Sequence, residues 1–195
     1  MGCDIMVKLD FTKFKPEQGK LLISEPFMND PNFKRSVVLL ASHNEEGSVG
    51  FVLNRPMELK LEQIIEEFDR CDLPVWDGGP VQRDSLFFVH TLGDAIPDSI
   101  PIQGDLYWGG NFETVKALIK GKNVSEKDIR LFIGYSGWAS KQLESEIKNN
   151  SWLVAPTTID VIMGNDWEKL WKEVLKSMGK DFSILANFPE NPLWN

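Results

Sequence analysis

The sequence predicts an α+β fold: a mixed, mostly antiparallel sheet with helices packed outside it. Three observations lead there. Residues 35–43 and 48–54 are runs of β-branched residues and Leu separated by the Gly-containing loop 44–47, a hairpin signal. Segments of helical periodicity, such as Leu61, Ile64, Ile65 and Phe68, are interspersed irregularly among further strand-like runs. Consecutive strands are often joined by short connections, which favours antiparallel pairing over a regular βαβ repeat. The chain has 195 residues, of which 42% are hydrophobic and 11% aromatic, so it suits one domain with a sizeable core. Residues 1–18, polar and basic with isolated Phe11 and Phe14, are expected to form an N-terminal extension. Residues 19–195 then make up the domain.

Residues 20–24 read as a short buried strand, followed by the turn residues Pro26, Asn29, Asp30 and Pro31. The hairpin of 35–54 comes next. Leu61, Ile64, Ile65 and Phe68 sit at i, i+3, i+4 and i+7, predicting an amphipathic helix over 59–69. Val75-Trp76 leads into Gly78-Gly79-Pro80, where the pair must turn before the proline. Gly78 or Gly79 is therefore expected at positive φ, with alanine there costing roughly 1–2 kcal/mol. Residues 85–91 form a strand by composition, 93–103 a loop rich in Pro and Asp, and 106–108 an aromatic strand. Asn111 is placed to cap a helix that uses Phe112, Val115, Leu118 and Ile119 and ends at Gly121. Ser125 to Asp128 suits a capped turn. Residues 130–136 form a strand whose glycines, Gly134 and Gly137, are expected to turn the chain into a helical segment over 141–148. Residues 152–155 give one more strand, stopped by Pro156. Asp166 is expected to cap a last helix, with Trp167, Leu170, Trp171, Val174, Leu175 and Met178 on one stripe and Gly179 at its end.

Composition narrows the function. The longest wholly apolar run, residues 37–41, is far short of the roughly 20 residues of a membrane helix, so no membrane association is expected. No secretory h-region follows Met1. Two cysteines, Cys3 and Cys71, make neither a disulfide framework nor a CxxC pair, which fits a reducing cytoplasm. Lys plus Arg number 21 and Asp plus Glu 29, a net charge of −8 that opposes binding to phosphate backbones. The nearest basic cluster, Lys8, Lys13, Lys15 and Lys20, is interrupted by Asp10 and Glu17.

Motifs are sparse. The two histidines, His43 and His90, are far apart in sequence and have no Cys or His partner at ligand spacing, so no metal site is expected. A P-loop pattern is missing and Gly109-Gly110 lacks the third glycine of a dinucleotide fingerprint, so no cofactor is expected. Ser136 lies in Gly134-Tyr135-Ser136-Gly137-Trp138, where Trp138 breaks the GxSxG elbow. Cys71 stands next to Arg70 but has no His nearby in sequence. No catalytic residue is assigned. Polar residues and glycines instead gather at strand ends: His43, Asn54-Arg55-Pro56, Gly78-Gly79-Pro80 and His90. A sheet rim carrying His43, Asn54, Arg55, Gly78, Gly79 and His90 has the parts of a site for a small anion or a peptide carboxylate. Pro56 forces Arg55 out of the helical region, leaving its guanidinium fork beside a glycine-rich backbone. The same residue types also serve turns, and Arg55 has the alternative of pairing with Glu58 or Glu62.

In order along the chain, several segments resemble the AlgH/YqgE family of bacterial proteins. They are Gly19 to Ser24 with Pro26, Asp30 and Phe33 to Val38; then His43, Gly47 and Gly50 to Pro56; then Gly78 to Val81 and Leu86 to His90. Gly134 to Trp138, Gln142 to Glu146, Trp152 and the tail Pro192-Leu193-Trp194-Asn195 complete the set. The resemblance covers about residues 19–195, departing at Ser48-Val49 and Trp194. It implies a sheet bent into a barrel-like core with outer helices. It supplies no agreed catalytic or ligand site, although one branch carries a transcriptional-regulator label. The resulting expectation is a cytoplasmic binding or regulatory module that acts through a protein partner or a small ligand, including indirect transcriptional regulation. The alternative is a hydrolase or transferase for a small anionic substrate, with Arg55 as clamp and His43 or His90 as base. Direct nucleic-acid binding ranks third, because the chain is acidic and shows no helix-turn-helix. The sequence leaves the oligomeric state open.

Overall fold

Strand alternation sorts the apolar residues onto two faces of one sheet. In β1 (Leu21–Ser24), Leu21 and Ile23 enter one core and Leu22 another. In β2 (Val37–Asn44), Val37, Leu39 and Ala41 share the first core, while Val38 and Leu40 share the second. This period of two is what a pleated strand imposes when both of its faces are covered. The computed structural model describes residues 11–68 and 71–189. The readings placed on Cys3, Lys8, Asp10, Asp69, Arg70 and the tail from Pro192 to Asn195 lie outside the described residues.

The remaining strands are β3 (Gly47–Val52), β4 (Pro56–Lys60), β5 (Pro74–Asp77), β6 (Val81–His90), β7 (Ile100–Gln103), β8 (Leu106–Trp108), β9 (Ile129–Ala139) and β10 (Trp152–Ala155). The helices are α1 (Leu61–Ile64), α2 (Phe112–Lys120), α3 (Gln142–Lys148), α4 (Ile159–Met163), α5 (Trp167–Ser177) and α6 (Lys180–Ser183). The sheet runs β10-β1-β2-β3-β9-β6-β8-β7, with β4 and β5 off this path. All pairs are antiparallel except β5 with β9. The eleven-residue β9 is the spine: it pairs with β3 through Ser136 to Ala139, with β5 through Leu131 to Ile133, and with β6 from Ile129 to Tyr135. The sheet curves around α4, α5 and α6, whose Ile162, Trp171, Leu175 and Phe182 fill the inner core. It is barrel-like without closing, since β10 and β7 end the path. The outer face carries two separate cores, one under α3 with Trp138 and Trp152, the other under α2 with Phe88 and Leu131.

Asn111 caps α2 as expected, its Oδ1 accepting from the Thr114 N–H at 2.9 Å. Four expectations are corrected. The helix predicted over 59–69 shrinks to α1, because residues 56–60 extend onto β5 and Ile65 turns extended at φ −126°. Leu61 and Phe68 still reach the same core, by a turn instead of a continuous helix. The loop 93–103 contains β7, which adds to the aromatic strand β8. Gly134 and Gly137 do not end their strand; β9 continues through both to Ala139. Asp166 holds the N-cap position of α5 but makes no side-chain cap bond.

Candidate functional site

Four strands meet at Gly78 and Gly79. The Gly78 carbonyl accepts from the Val52 N–H at 3.1 Å and from the Ser136 hydroxyl at 3.1 Å, while the Gly78 N–H donates to the Ile133 carbonyl at 2.9 Å. Gly79 adopts φ +143° and Gly134 φ +70°. A Cβ added at Gly78 would overlap the Gly134 carbonyl oxygen. The glycines thus let backbones approach more closely than side chains permit, a stronger demand than the turn before Pro80. Ser136, fully buried, is spent on this junction.

Asn54 and Arg55 lie beside it. The Asp77 N–H donates to the Arg55 carbonyl at 2.9 Å, which joins β5 to the residue preceding β4. The side chains point to other work. Asn54 Oδ1 accepts from the Val37 N–H and its Nδ2 donates to the Arg35 carbonyl, both at 2.9 Å, so the amide extends the β2 ladder by one step. Arg55 Nη2 donates to the carbonyls of Pro31 and Lys34 at 3.0 and 3.2 Å. Burial pushes the Arg55 pKa down, and Asp77 and Asp30, not Glu58 or Glu62, oppose that shift. Asp77 is itself held by Arg83 at 3.2 Å and by the Gly79 N–H.

The histidines sit at opposite ends of β9. His43 Nδ1 lies 2.7 Å from Ser48 Oγ, and Ser48 pairs with Trp138 near the strand's end. His90 pairs with Ile129 at its start. The structure therefore brings Asn54, Arg55, Gly78 and Gly79 together and places His43 and His90 apart from them and from each other. His90 is fully buried. Its ring stacks on Tyr107 with centroids 5.7 Å apart, and its Nδ1 accepts from the Leu92 N–H at 3.3 Å. That leaves Nε2 to carry the proton toward the Gly109 carbonyl at 3.2 Å.

Burial holds His90 below its ordinary pKa of 6.5 because the imidazolium would lie away from water; the bond to Gly109 only partly offsets this. As pH falls, the unfolded chain takes up this proton before the folded one does. The stability from neutral His90 is therefore complete above the unfolded pKa and lost as pH drops toward the folded value. His90→Gln is expected to unfold at lower urea than the parent at pH 7.5, yet to lose less stability on going to pH 5.5. Equal pH slopes in the two urea series would refute this role for His90.

Two features escaped the sequence. Arg130 is 3% exposed, donates to the Leu53 and Gly164 carbonyls at 3.3 and 2.6 Å, and lies 4.1 Å from the centre of the Trp76 ring. Burial lowers its pKa to about 10, with Glu126 opposing. An Arg inside a β-former run was the only signal. The second is a cavity of about 640 Å³ between the end of α2 and residues 67–68 and 71–74, lined by Phe68, Leu73, Ile119 and Val124, by the charged Glu67, Asp72, Lys120, Lys122 and Glu126, and by the free Cys71. No sequence signal brings these segments together. Among the described residues no group of three potential metal ligands occurs, and no helix is long and apolar enough to cross a membrane.

A family model described as AlgH-like matches residues 21–183. A UPF0301 protein of Bacteroides thetaiotaomicron is 42% identical over 189 residues, covering 96% of each chain. Another, from Cytophaga hutchinsonii, is 43% identical over 179 residues, covering 91% of this chain and 98% of its own. Among solved structures, that of the AlgH protein from Pseudomonas aeruginosa superposes with a TM-score of 0.73 at 28% identity, covering 90% of this chain and 98% of that one. A Corynebacterium diphtheriae protein shares the fold with a TM-score of 0.75 at 23% identity, over 90% and 94% of the two chains.

Proposed function

The chain belongs to the AlgH-like family, and from that premise we propose that it is a cytoplasmic binding module acting on a small amphipathic ligand, with any regulatory effect passed on through a protein partner. The cavity beside α2 carries this reading. Its volume of about 640 Å³ falls in the range of small-molecule sites. Phe68 and Ile119 give it an apolar floor, 2% and 7% exposed. Lys120 is taken by Glu67 at 3.1 Å, whereas Lys122 makes no ion pair among the described residues and is the cation offered to a carboxylate, with the acidic Asp72 and Glu126 on the same lining. An enzyme built on Arg55 with His43 or His90 draws no support, because Arg55 lies apart from both histidines and is engaged by the Pro31 and Lys34 carbonyls. Direct nucleic-acid binding is disfavoured by the net charge of −8.

Amide shifts in NMR titrations with aromatic and aliphatic carboxylates test the proposal. Movements are expected at Phe68, Cys71, Ile119 and Val124. They should vanish in Val124→Trp, which fills the cavity, and persist in Arg55→Ala. Shifts that survive in Val124→Trp would reject this cavity. Shifts lost in Arg55→Ala would instead move the site to the rim of Asn54, Arg55, Gly78 and Gly79.

A further inference from the structure

We propose that Ser48, His43 and Glu144 form a polarised serine nucleophile, a site for small acyl or phosphonyl electrophiles. It is separate from the cavity beside α2, so either can fail alone. The β2–β3 hairpin sets the first contact. Its register places His43 opposite Ser48, and Ser48 Oγ lies 2.7 Å from His43 Nδ1, within reach for proton transfer. The second contact comes from α3. Glu144 Oε1 stands 3.9 Å from His43 Nε2, on the far side of the ring from the serine. α3 is fixed against the sheet by the buried Leu143 and Ile147 and by the Glu146 carboxylate, which accepts both the Trp138 and Trp152 indole N–H groups.

A carboxylate on the Nε2 side favours the tautomer with its proton there, leaving Nδ1 as the acceptor that activation of Ser48 requires. Nucleophile, base and orienting acid thus stand in sequence on three elements. Ser48 is 6% exposed and shares the α3 face of the sheet with His43 and Trp138, so a small electrophile reaches it past the His43 ring and the exposed Glu144. With a fluorophosphonate, Ser48 Oγ forms the O–P bond, the P–F bond breaks and fluoride leaves. The hydroxyl proton passes to His43 Nδ1 beside the Glu144 carboxylate, and from there to solvent.

Incubating the full chain with a biotinylated fluorophosphonate and mapping the adduct by tandem mass spectrometry is the direct test. A single adduct on Ser48 is expected, formed at least ~10-fold more slowly in His43→Gln and several-fold more slowly in Glu144→Gln. Ser145→Ala on the exposed face of α3 should label like the parent. Glu144 is exposed, so its variant keeps the fold, and mapping on the parent needs no variant at all. Absence of a Ser48 adduct on the parent would overturn the proposal. So would labelling of Ser48 at an unchanged rate in Glu144→Gln or in a folded His43→Gln.

Discussion

Gly78→Ala is expected to lower the stability of the protein by about 3 kcal/mol or more, read as a large drop in the urea midpoint. The new Cβ would overlap the Gly134 carbonyl oxygen and stand 3.0 Å from the Phe132 Cβ. Neither neighbour can rotate away, because one is backbone of β9 and the other is fixed in the inner core. Gly79→Ala meets a second obstacle in its φ of +143°, with Ser136 Oγ 2.5 Å from the added carbon. Gly104 separates conformation from crowding: its φ is +55° and nothing lies within 4 Å of a Cβ there. Gly104→Ala should cost only the ~1 kcal/mol of a left-handed backbone. Similar losses at Gly78 and Gly104 would mean that the junction relaxes freely, contrary to the packing described.

Glu146→Ala should destabilise by a comparable amount, about 3–5 kcal/mol. One carboxylate oxygen accepts from the Trp138 and Trp152 Nε1–H groups at 2.9 and 2.8 Å, and the other from Gln142 Nε2 at 2.8 Å. The indoles are 6% and 1% exposed and pack edge to face, centroids 5.8 Å apart, with Phe33 against both. Alanine would leave two buried donors without an acceptor, each costing about 1–3 kcal/mol, and would free α3 from the sheet. Glu146→Gln keeps an acceptor oxygen and should lose about 1 kcal/mol. Urea unfolding followed by tryptophan fluorescence reads both variants. An alanine variant as stable as the glutamine one would show that water replaces the carboxylate.

The same clamp bears on function, because it fixes the helix that presents Glu144 to His43. A looser α3 would weaken any reactivity of Ser48 without touching the cavity beside α2. Glu146→Gln therefore offers a mild perturbation of one candidate site that spares the other.

Local rules fixed much of this protein in advance. The hairpin, the Asn111 cap, the α5 stripe and the alternation of buried residues depend on neighbours a few positions apart, and the sequence shows those neighbours directly. Even the His43–Ser48 pair was within reach, since a turn at Glu45-Glu46 sets position 43 opposite position 48. What the sequence could not decide was everything that depends on long-range approach. The pattern of Leu61, Ile64, Ile65 and Phe68 suits a helix, but β5 offered residues 56–60 a ladder, and pairing across the sheet overrode local propensity. The glycines of β9 looked like a strand end; only the arrival of Gly78 and Gly79 from β5 shows that Gly134 makes room for a backbone crossing. Arg55 carried the chemistry of an anion fork, yet carbonyl groups more than twenty residues away claimed it first. Composition determined which groups were available. Tertiary structure decided which were already satisfied, because a buried polar group takes whatever partner the fold brings to it.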